Sequence, residues 1–284
     1  EIPSCDWSSD VCSSDLTALA NPHEIPDIEA MRAAWKRAET PTQAAQWLEM
    51  VVYGKPKRGK THFLGSIPNI LILDFDQGSS IITKQKFPDF RGKRVAIESF
   101  NDVALWYWIL KTQKHPFQAV AWDTATMAME LALQHVLAEK VQRDPRKSAY
   151  KAEQDDYGRA ARIMRHWITM YRSLPIHKIW VCHERADEAP DEETGTQEVE
   201  WYVPDLQPSV RSYLLGLVSL IGYAYRVHKD GKLQFRMAFD RPGTMAADRY
   251  GVMPKAIANP TWDKIMERYG KILTGGEDND GDGS

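Results

Sequence analysis

The chain has 284 residues, 43% of them hydrophobic, enough to bury one substantial core and too few for two full domains. Its longest apolar run, near Tyr213 to Tyr225, is broken by Gly216, Ser219 and Gly222 and falls short of the roughly 20 residues that cross a bilayer, so no membrane is expected and a cytosolic location is. The formal charge of −3 is unevenly spread: Glu277, Asp278, Asp280 and Asp282 lie in a Gly-rich tail and Asp6, Asp10 and Asp15 near the start, which leaves a mildly basic body.

Residues 1–16 are set aside, because Asp6 to Leu16 (DWSSDVCSSDL) reads as the translation of a sequencing-adapter oligonucleotide; a natural disordered leader is the alternative. Cys5 and Cys12 go with them. Cys182 then stands alone, so neither a disulfide framework nor a cysteine zinc site is available. Residues 17–46 form an expected N-terminal helical extension, in which Ile28, Met31, Ala34 and Trp35 recur at helical spacing between Asp27 and Ala38, with Pro41 beyond.

The expected main domain runs from 47 to 273. It opens with an apolar strand, Trp47 to Tyr53, a glycine turn from Gly54, and a helix-compatible stretch after Lys60. Short apolar runs at Ile70 to Phe75, Ala119 to Trp122 and Ile176 to Cys182 read as buried parallel strands. Segments with an apolar residue every three or four positions separate them, at Asp102 to Lys111, Thr126 to Val141 and Tyr157 to Leu174. Strands alternating with helices predict an α/β fold with a mostly parallel sheet flanked by helices, since each parallel crossover must leave the sheet and return. After Arg185 an acidic stretch to Glu200 reads as an exposed loop, followed by a helix at Val210 to Leu220. Strands at Tyr223 to His228 and Lys232 to Phe239 then form an antiparallel hairpin, joined by Asp230-Gly231. Residues 274–284 are expected to be a disordered acidic tail.

Gly54-Lys55-Pro56-Lys57-Arg58-Gly59-Lys60-Thr61 satisfies every fixed position of the phosphate-loop pattern G-x-x-x-x-G-K-[ST]. Such a loop suits a triphosphate, here ATP. Its glycines let backbone N–H groups curl around phosphate oxygens, Lys60 reaches the β- and γ-phosphates, and the Thr61 hydroxyl ligates Mg²⁺. The helix that follows, with His62 in its first turn, directs its positive end at the anion. A carboxylate at the end of a buried strand should complete the metal site, and Asp123 stands there; capping the next helix is its alternative role. Asp74 and Asp76 end another strand on alternate positions, where either can activate a water for attack on the γ-phosphate or merely close a turn. Cys182-His183-Glu184-Arg185 ends the last parallel strand, placing His183 where a γ-phosphate sensor or a purely structural histidine would stand.

Together, Gly54 to Thr61, Asp74 to Gly78, Trp122 to Thr124 and Val181 to Glu184 resemble phage-encoded RecA-like ATPases of the Sak-type single-strand annealing group. The resemblance spans roughly Trp47 to Ile265, with Tyr157-Gly158 opening a long helix and Asp248-Arg249-Tyr250-Gly251 near the end. It implies a RecA-like P-loop core that binds ATP and acts on single-stranded DNA in recombination, as a homo-oligomer in a bacterial host. By that likeness Asp76 takes the place of a catalytic acid that is usually glutamate, His183 that of the γ-phosphate sensor, and Arg249 that of a finger acting across a subunit boundary. The chain departs from the pattern at Ala246 and Ala247, where relatives carry a lysine shortly before that arginine.

A single-strand site needs cations for the backbone and aromatics for the bases, and Lys140, Arg143, Arg146, Lys147, Tyr150 and Lys151 supply both in an expected loop between helices; an ordinary solvated linker has the same composition. A nucleotide-gated binding module with negligible hydrolysis is the competing reading. A small-molecule kinase ranks below both, because no segment supplies an arginine-rich lid.

Overall fold

The computed structural model describes residues 47–273 apart from 84, 89, 191–196 and 230. The adapter-like start, the helix expected at Asp27 to Ala38, Asp230 and the acidic tail lie outside the described residues.

Four strands are almost wholly buried: β1 (Glu49–Tyr53), β2 (Ile70–Asp74), β4 (Ala119–Asp123) and β5 (His177–Cys182). Burial on both faces is what a parallel strand meets when crossovers cover each side of a sheet, and it explains why these segments are continuous apolar runs instead of alternating ones. With β3 (Lys93–Ala96), β8 (Leu220–Lys229), β9 (Lys232–Ala238), β10 (Ala247–Asp248) and β11 (Ala256–Ala258) they make one sheet in the order β11-β9-β8-β1-β5-β4-β2-β3, with β10 alongside β8. The stretch from β8 to β3 is parallel, while β8, β9 and β11 pair antiparallel. The core is therefore an α/β unit with a mostly parallel sheet and an antiparallel hairpin near its C-terminal end.

Period-two alternation sends each strand's side chains to two cores. Val51, Leu71, Val120, Trp122 and Trp180 face helices α2 (Phe100–Thr112), α3 (Ala125–Arg143), α4 (Gln154–Arg172) and α5 (Pro208–Leu217). Met50, Ile70, Ile72, Ala121 and Val181 face α1 (Lys60–Gly65) and α6 (Trp262–Leu273). Caps set several helix starts. Ser99 and Asp102 form a reciprocal box at α2, Glu153 and Asp156 another at α4, and the Thr124 hydroxyl accepts from Met127 N–H at α3.

The expected loop after Arg185 is instead a second, two-stranded sheet, β6 (Glu184–Pro190) with β7 (Gln197–Pro204), paired antiparallel with a register shift between Asp187 and Glu188. Its residues are too polar to show a buried face in the sequence, so the hairpin depends on cross-strand backbone bonds, which leave no hydropathy signal. The expected hairpin of β8 and β9 forms: Lys229 pairs with Lys232, and Gly231 has φ 70°, a conformation that suits glycine. Edge strand β3 and helix α6 have no counterpart in the sequence reading. Among the described residues no helix is long and apolar enough to cross a membrane.

At the amino edge of the sheet, Leu48 N–H donates to His177 Nδ1 at 2.9 Å, and the imidazole lies edge-on to Trp47 and Trp262 with centroids 5.4 and 5.1 Å away. Burial, with Lys178 adding to it, pushes the imidazole down to about 4; Lys178 itself is held by Glu49, which also binds Arg172. The unfolded chain binds a proton near pH 6.5 that the folded chain refuses, so this contribution is complete above that pH and is lost as pH falls towards 4. Urea melts at pH 7.5 and 4.5 should differ by about 3 kcal/mol more in the parent than in His177→Gln, which keeps an acceptor without a basic group. Equal pH dependence in the two proteins would refute the assignment.

Candidate functional site

The phosphate loop leaves the carboxyl end of β1 and enters α1, and its backbone requires its glycines. Gly54 has φ 152°, and a Cβ there would lie 2.3 Å from the Ala224 carbonyl oxygen; Gly59 has φ 93° and abuts the Phe235 ring. Lys57, at the loop's tip, also adopts a positive φ of 61°. Lys60 is buried and folds back over its own loop, donating from Nζ to the Gly54 and Lys55 carbonyls at 2.6 and 2.9 Å. Burial lowers its pKa, and the nearby carboxylates, Asp123 first, work against that.

Asp123 reaches the loop because of strand alternation. With Ala119 and Ala121 it shares the face that packs on α1, while Val120 and Trp122 face the opposite core. The Thr61 hydroxyl donates to Asp123 Oδ2 at 3.3 Å, joining residues 62 positions apart in the chain. Since Thr124 caps α3, the Asp123 carboxylate is not used as a cap; the peptide bond between them is cis. Burial, then the charges of Asp76 and Asp74, push the Asp123 carboxyl up to about 7.

The two acids at the end of β2 diverge. The strand ends at Asp74, so alternation does not extend to Asp76. Asp74 is wholly buried beside Asp123, its register partner on β4, and accepts from Ser79 Oγ at 2.5 Å and Arg94 Nη1 at 3.2 Å. Asp76 caps its own turn through Gly78 N–H at 2.8 Å, and its other oxygen lies 3.8 Å from His183 Nε2. Burial lowers the His183 pKa, helped by Lys60 and opposed by Asp76. Lys60, Thr61, Asp76, Asp123 and His183 thus converge at the carboxyl edge of the sheet, from four different segments.

Sequence reasoning missed the brace beneath the loop. Glu184, at the start of β6, accepts from Lys55 N–H at 3.1 Å and from the Tyr223 hydroxyl at 3.0 Å, with Lys55 Nζ 3.8 Å from its other oxygen. The only hint was its place beside His183, since hydrogen bonds across 129 and 39 residues leave no pattern in a linear chain.

Other expected residues lie elsewhere. The Arg249 backbone N–H bonds to the Ser219 carbonyl, and Ser219 N–H in turn bonds to Glu49 at the start of β1, so Arg249 sits at the opposite edge of the sheet from its own phosphate loop. Its guanidinium donates to the Gly216 carbonyl at 2.9 Å. Arg143, Arg146, Lys147, Tyr150 and Lys151 lie at the connection from α3 to α4, where Arg146 pairs with Asp144 at 2.9 Å and Arg143 with Glu139 at 3.7 Å. Lys140 is held by Asp156 and Glu153 at 2.7 and 3.0 Å. Tyr150 is fully exposed.

The donor set fits magnesium held through phosphate. Among the described residues no cluster of three or more His, Cys, Asp or Glu could cage a metal alone, and one hydroxyl with one carboxylate is what Mg²⁺ takes from a protein when phosphate oxygens and waters complete its octahedron. Gly54 and Gly59 let the loop pass against the Ala224 carbonyl and the Phe235 ring, where a Cβ would clash.

Comparison with curated proteins found no match. Two solved structures are similar: the flagellar accessory protein FlaH from Methanocaldococcus jannaschii, at 10% identity over 74% of this chain and 84% of that one with a TM-score of 0.37, and the KaiC-like protein PH0186 from Pyrococcus horikoshii OT3, at 10% identity over 75% and 89% with a TM-score of 0.39. The family model described as AAA domain matches residues 47–250, which span the phosphate loop, Asp76, Asp123 and His183, and the chain therefore belongs to the AAA domain family of P-loop ATPases.

Proposed function

We propose that the chain binds ATP with Mg²⁺ and hydrolyses it, in the service of DNA recombination on single strands. The observation that carries the nucleotide part is the Thr61–Asp123 contact beside Lys60, which puts a hydroxyl, a carboxylate and an ammonium at the open end of a glycine cradle. Thr61 and Asp123 would hold the ion, which when bound neutralises phosphate charge. The loop amides from Gly54 to His62 orient the triphosphate, and Lys60 leaves its own carbonyls for phosphate oxygens. Asp76 takes the proton of an attacking water, and His183, 3.8 Å from it, keeps that carboxylate in place and contacts the terminal phosphate. Glu184 holds the loop through Lys55.

The single-strand role rests on the resemblance of the site motifs to phage annealing ATPases, and with it come a bacterial host, a homo-oligomer and Arg249 acting in a neighbouring subunit. The position of Arg249 at the far edge of the sheet agrees with action in trans, since it is remote from its own loop. The pairing of Lys140, Arg143 and Arg146 leaves Lys147, Tyr150 and Lys151 as the groups offered to a strand.

A second reading, a nucleotide-gated binding module that barely hydrolyses, is favoured by Asp76, whose short carboxylate is already engaged with Gly78 N–H. Phosphate release from ATP and Mg²⁺, measured with and without single-stranded DNA, separates the two. The enzyme should turn over steadily and be stimulated by DNA, whereas nucleotide binding with no release in either condition selects the gated module.

A further inference from the structure

Between Tyr223 and Arg241 the β8–β9 hairpin and the residues after it carry five cations, Arg226, Lys229, Lys232, Arg236 and Arg241, against two acids, Asp230 at the turn and Asp240, which lies 3.9 Å from Lys255 Nζ. Among the described residues none of the five forms an ion pair, unlike Lys140, Arg143 and Arg146 at the connection from α3 to α4. Cross-strand partners share a face of the ribbon. Arg226 and Phe235 lie on the face beside the phosphate loop, whereas Tyr225 with Arg236, Val227 with Gln234 and Lys229 with Lys232 lie on the other. On that second face the Tyr223 and Tyr225 rings run nearly parallel, 6.0 Å apart at 15°, and the Arg241 guanidinium sits 4.4 Å from the centre of Tyr225 and 5.6 Å from that of Tyr223. Lys229, Lys232 and Arg241 are exposed, and Tyr225, Val227 and Arg236 are half-buried. The acidic strand β7, with Glu198 and Glu200, meets this row at Tyr223, on which its Tyr202 stacks at 6.5 Å.

Two lysines directly opposed across a ladder repel each other, and an anion beside both relieves the repulsion. A guanidinium seated over an aromatic ring has little rotamer freedom left to lose when it meets a phosphate. We infer that the outer half of this face, from Tyr225 and Arg241 to the Lys229–Lys232 pair, is a contact strip for single-stranded DNA: Lys229, Lys232, Arg236 and Arg241 take its phosphates, and its bases lie against Tyr225 and Val227. A duplex fits less well, because the strip sets a ring and an aliphatic side chain among its cations and only an unpaired strand has base faces free to cover them. The carboxylates of β7 repel phosphate from the Tyr223 end, which confines the strand to the outer half. The inference rests on the single-strand reading above and adds to Lys147, Tyr150 and Lys151 a second surface, on the far side of the ribbon from the phosphate loop.

The test follows the fluorescence anisotropy of labelled oligo-dT over a salt series, with the full chain and with the variants Lys229→Gln/Lys232→Gln, Arg241→Gln and Lys147→Gln/Lys151→Gln, and thermal melts establish folding. Loss of both hairpin lysines should weaken binding about tenfold and flatten the slope of log K against log salt by about 1.4, at about 0.7 for each phosphate contact on a single strand. Arg241→Gln should flatten it by about 0.7. The parent should prefer oligo-dT to a duplex of the same length by at least about tenfold. Unchanged affinity and slope in both hairpin variants would overturn the inference, as would weaker binding at an unchanged slope, which marks an indirect effect, or duplex binding as tight as that of the single strand. If only Lys147→Gln/Lys151→Gln lost affinity, the single-strand reading would stand and this inference alone would fall. A parent that bound no DNA would end the single-strand reading first and the strip with it.

Discussion

Replacing Lys60 by alanine should reduce ATP turnover by at least about a thousandfold while leaving the fold intact. The ammonium is buried at the mouth of the glycine cradle, and a fixed charge in a water-excluded site opposite developing negative charge is worth several kcal/mol. Folding should survive, because the two carbonyls that Lys60 now occupies, on Gly54 and Lys55, belong to a loop that water can reach once the side chain is gone. Phosphate release under saturating ATP, with a thermal melt as control, decides the matter. Turnover at the parent rate would remove the phosphate-loop assignment and everything built on it.

Asp123→Asn should be nearly as damaging and differ in character. Asparagine keeps the size of the side chain and an oxygen that can accept from the Thr61 hydroxyl, so packing on the α1 face should hold, yet it takes away the carboxylate in contact with Thr61. A hundredfold or greater fall in turnover, in order of magnitude, is expected with magnesium present, together with unchanged nucleotide binding in EDTA. A magnesium titration of phosphate release is the informative measurement. A curve that superimposes on the parent's would mean that Asp123 is not a ligand, and the metal would then have to be held by Thr61 and phosphate alone.

These two residues also mark the boundary between what a linear reading can and cannot reach. Lys60 is legible because the phosphate loop is local: eight consecutive residues meet one chemical need, and the strand and helix that frame them have their own periodicities. The buried parallel strands are legible for a related reason, since burial on both faces demands an unbroken apolar run of the kind seen at Ile70 to Leu73 and Ala119 to Trp122. Asp123 was legible as a position at the end of such a run, with the metal role favoured over a helix cap, and in the fold it is Thr124 that caps the helix. On the residue pattern alone Asp74 and Asp76 looked equivalent, and only the family resemblance singled out Asp76. In the fold Asp74 ends β2 in contact with Ser79 and Arg94, whereas Asp76 lies 3.8 Å from His183.

The amino-acid sequence by itself determined the class of fold and the phosphate cradle, because both follow from patterns within a few residues: hydrophobic periodicity for the sheet and helices, and glycine spacing for the loop. Tertiary structure alone decided the rest: the β6–β7 hairpin in a polar stretch, the Glu184 brace across 129 residues, the placement of Arg249 at the opposite sheet edge, and the meeting of Phe235 and Arg226 beside the loop. Each of these depends on strand order and cross-strand register, which are set by the packing of distant segments and leave no periodic trace in the chain.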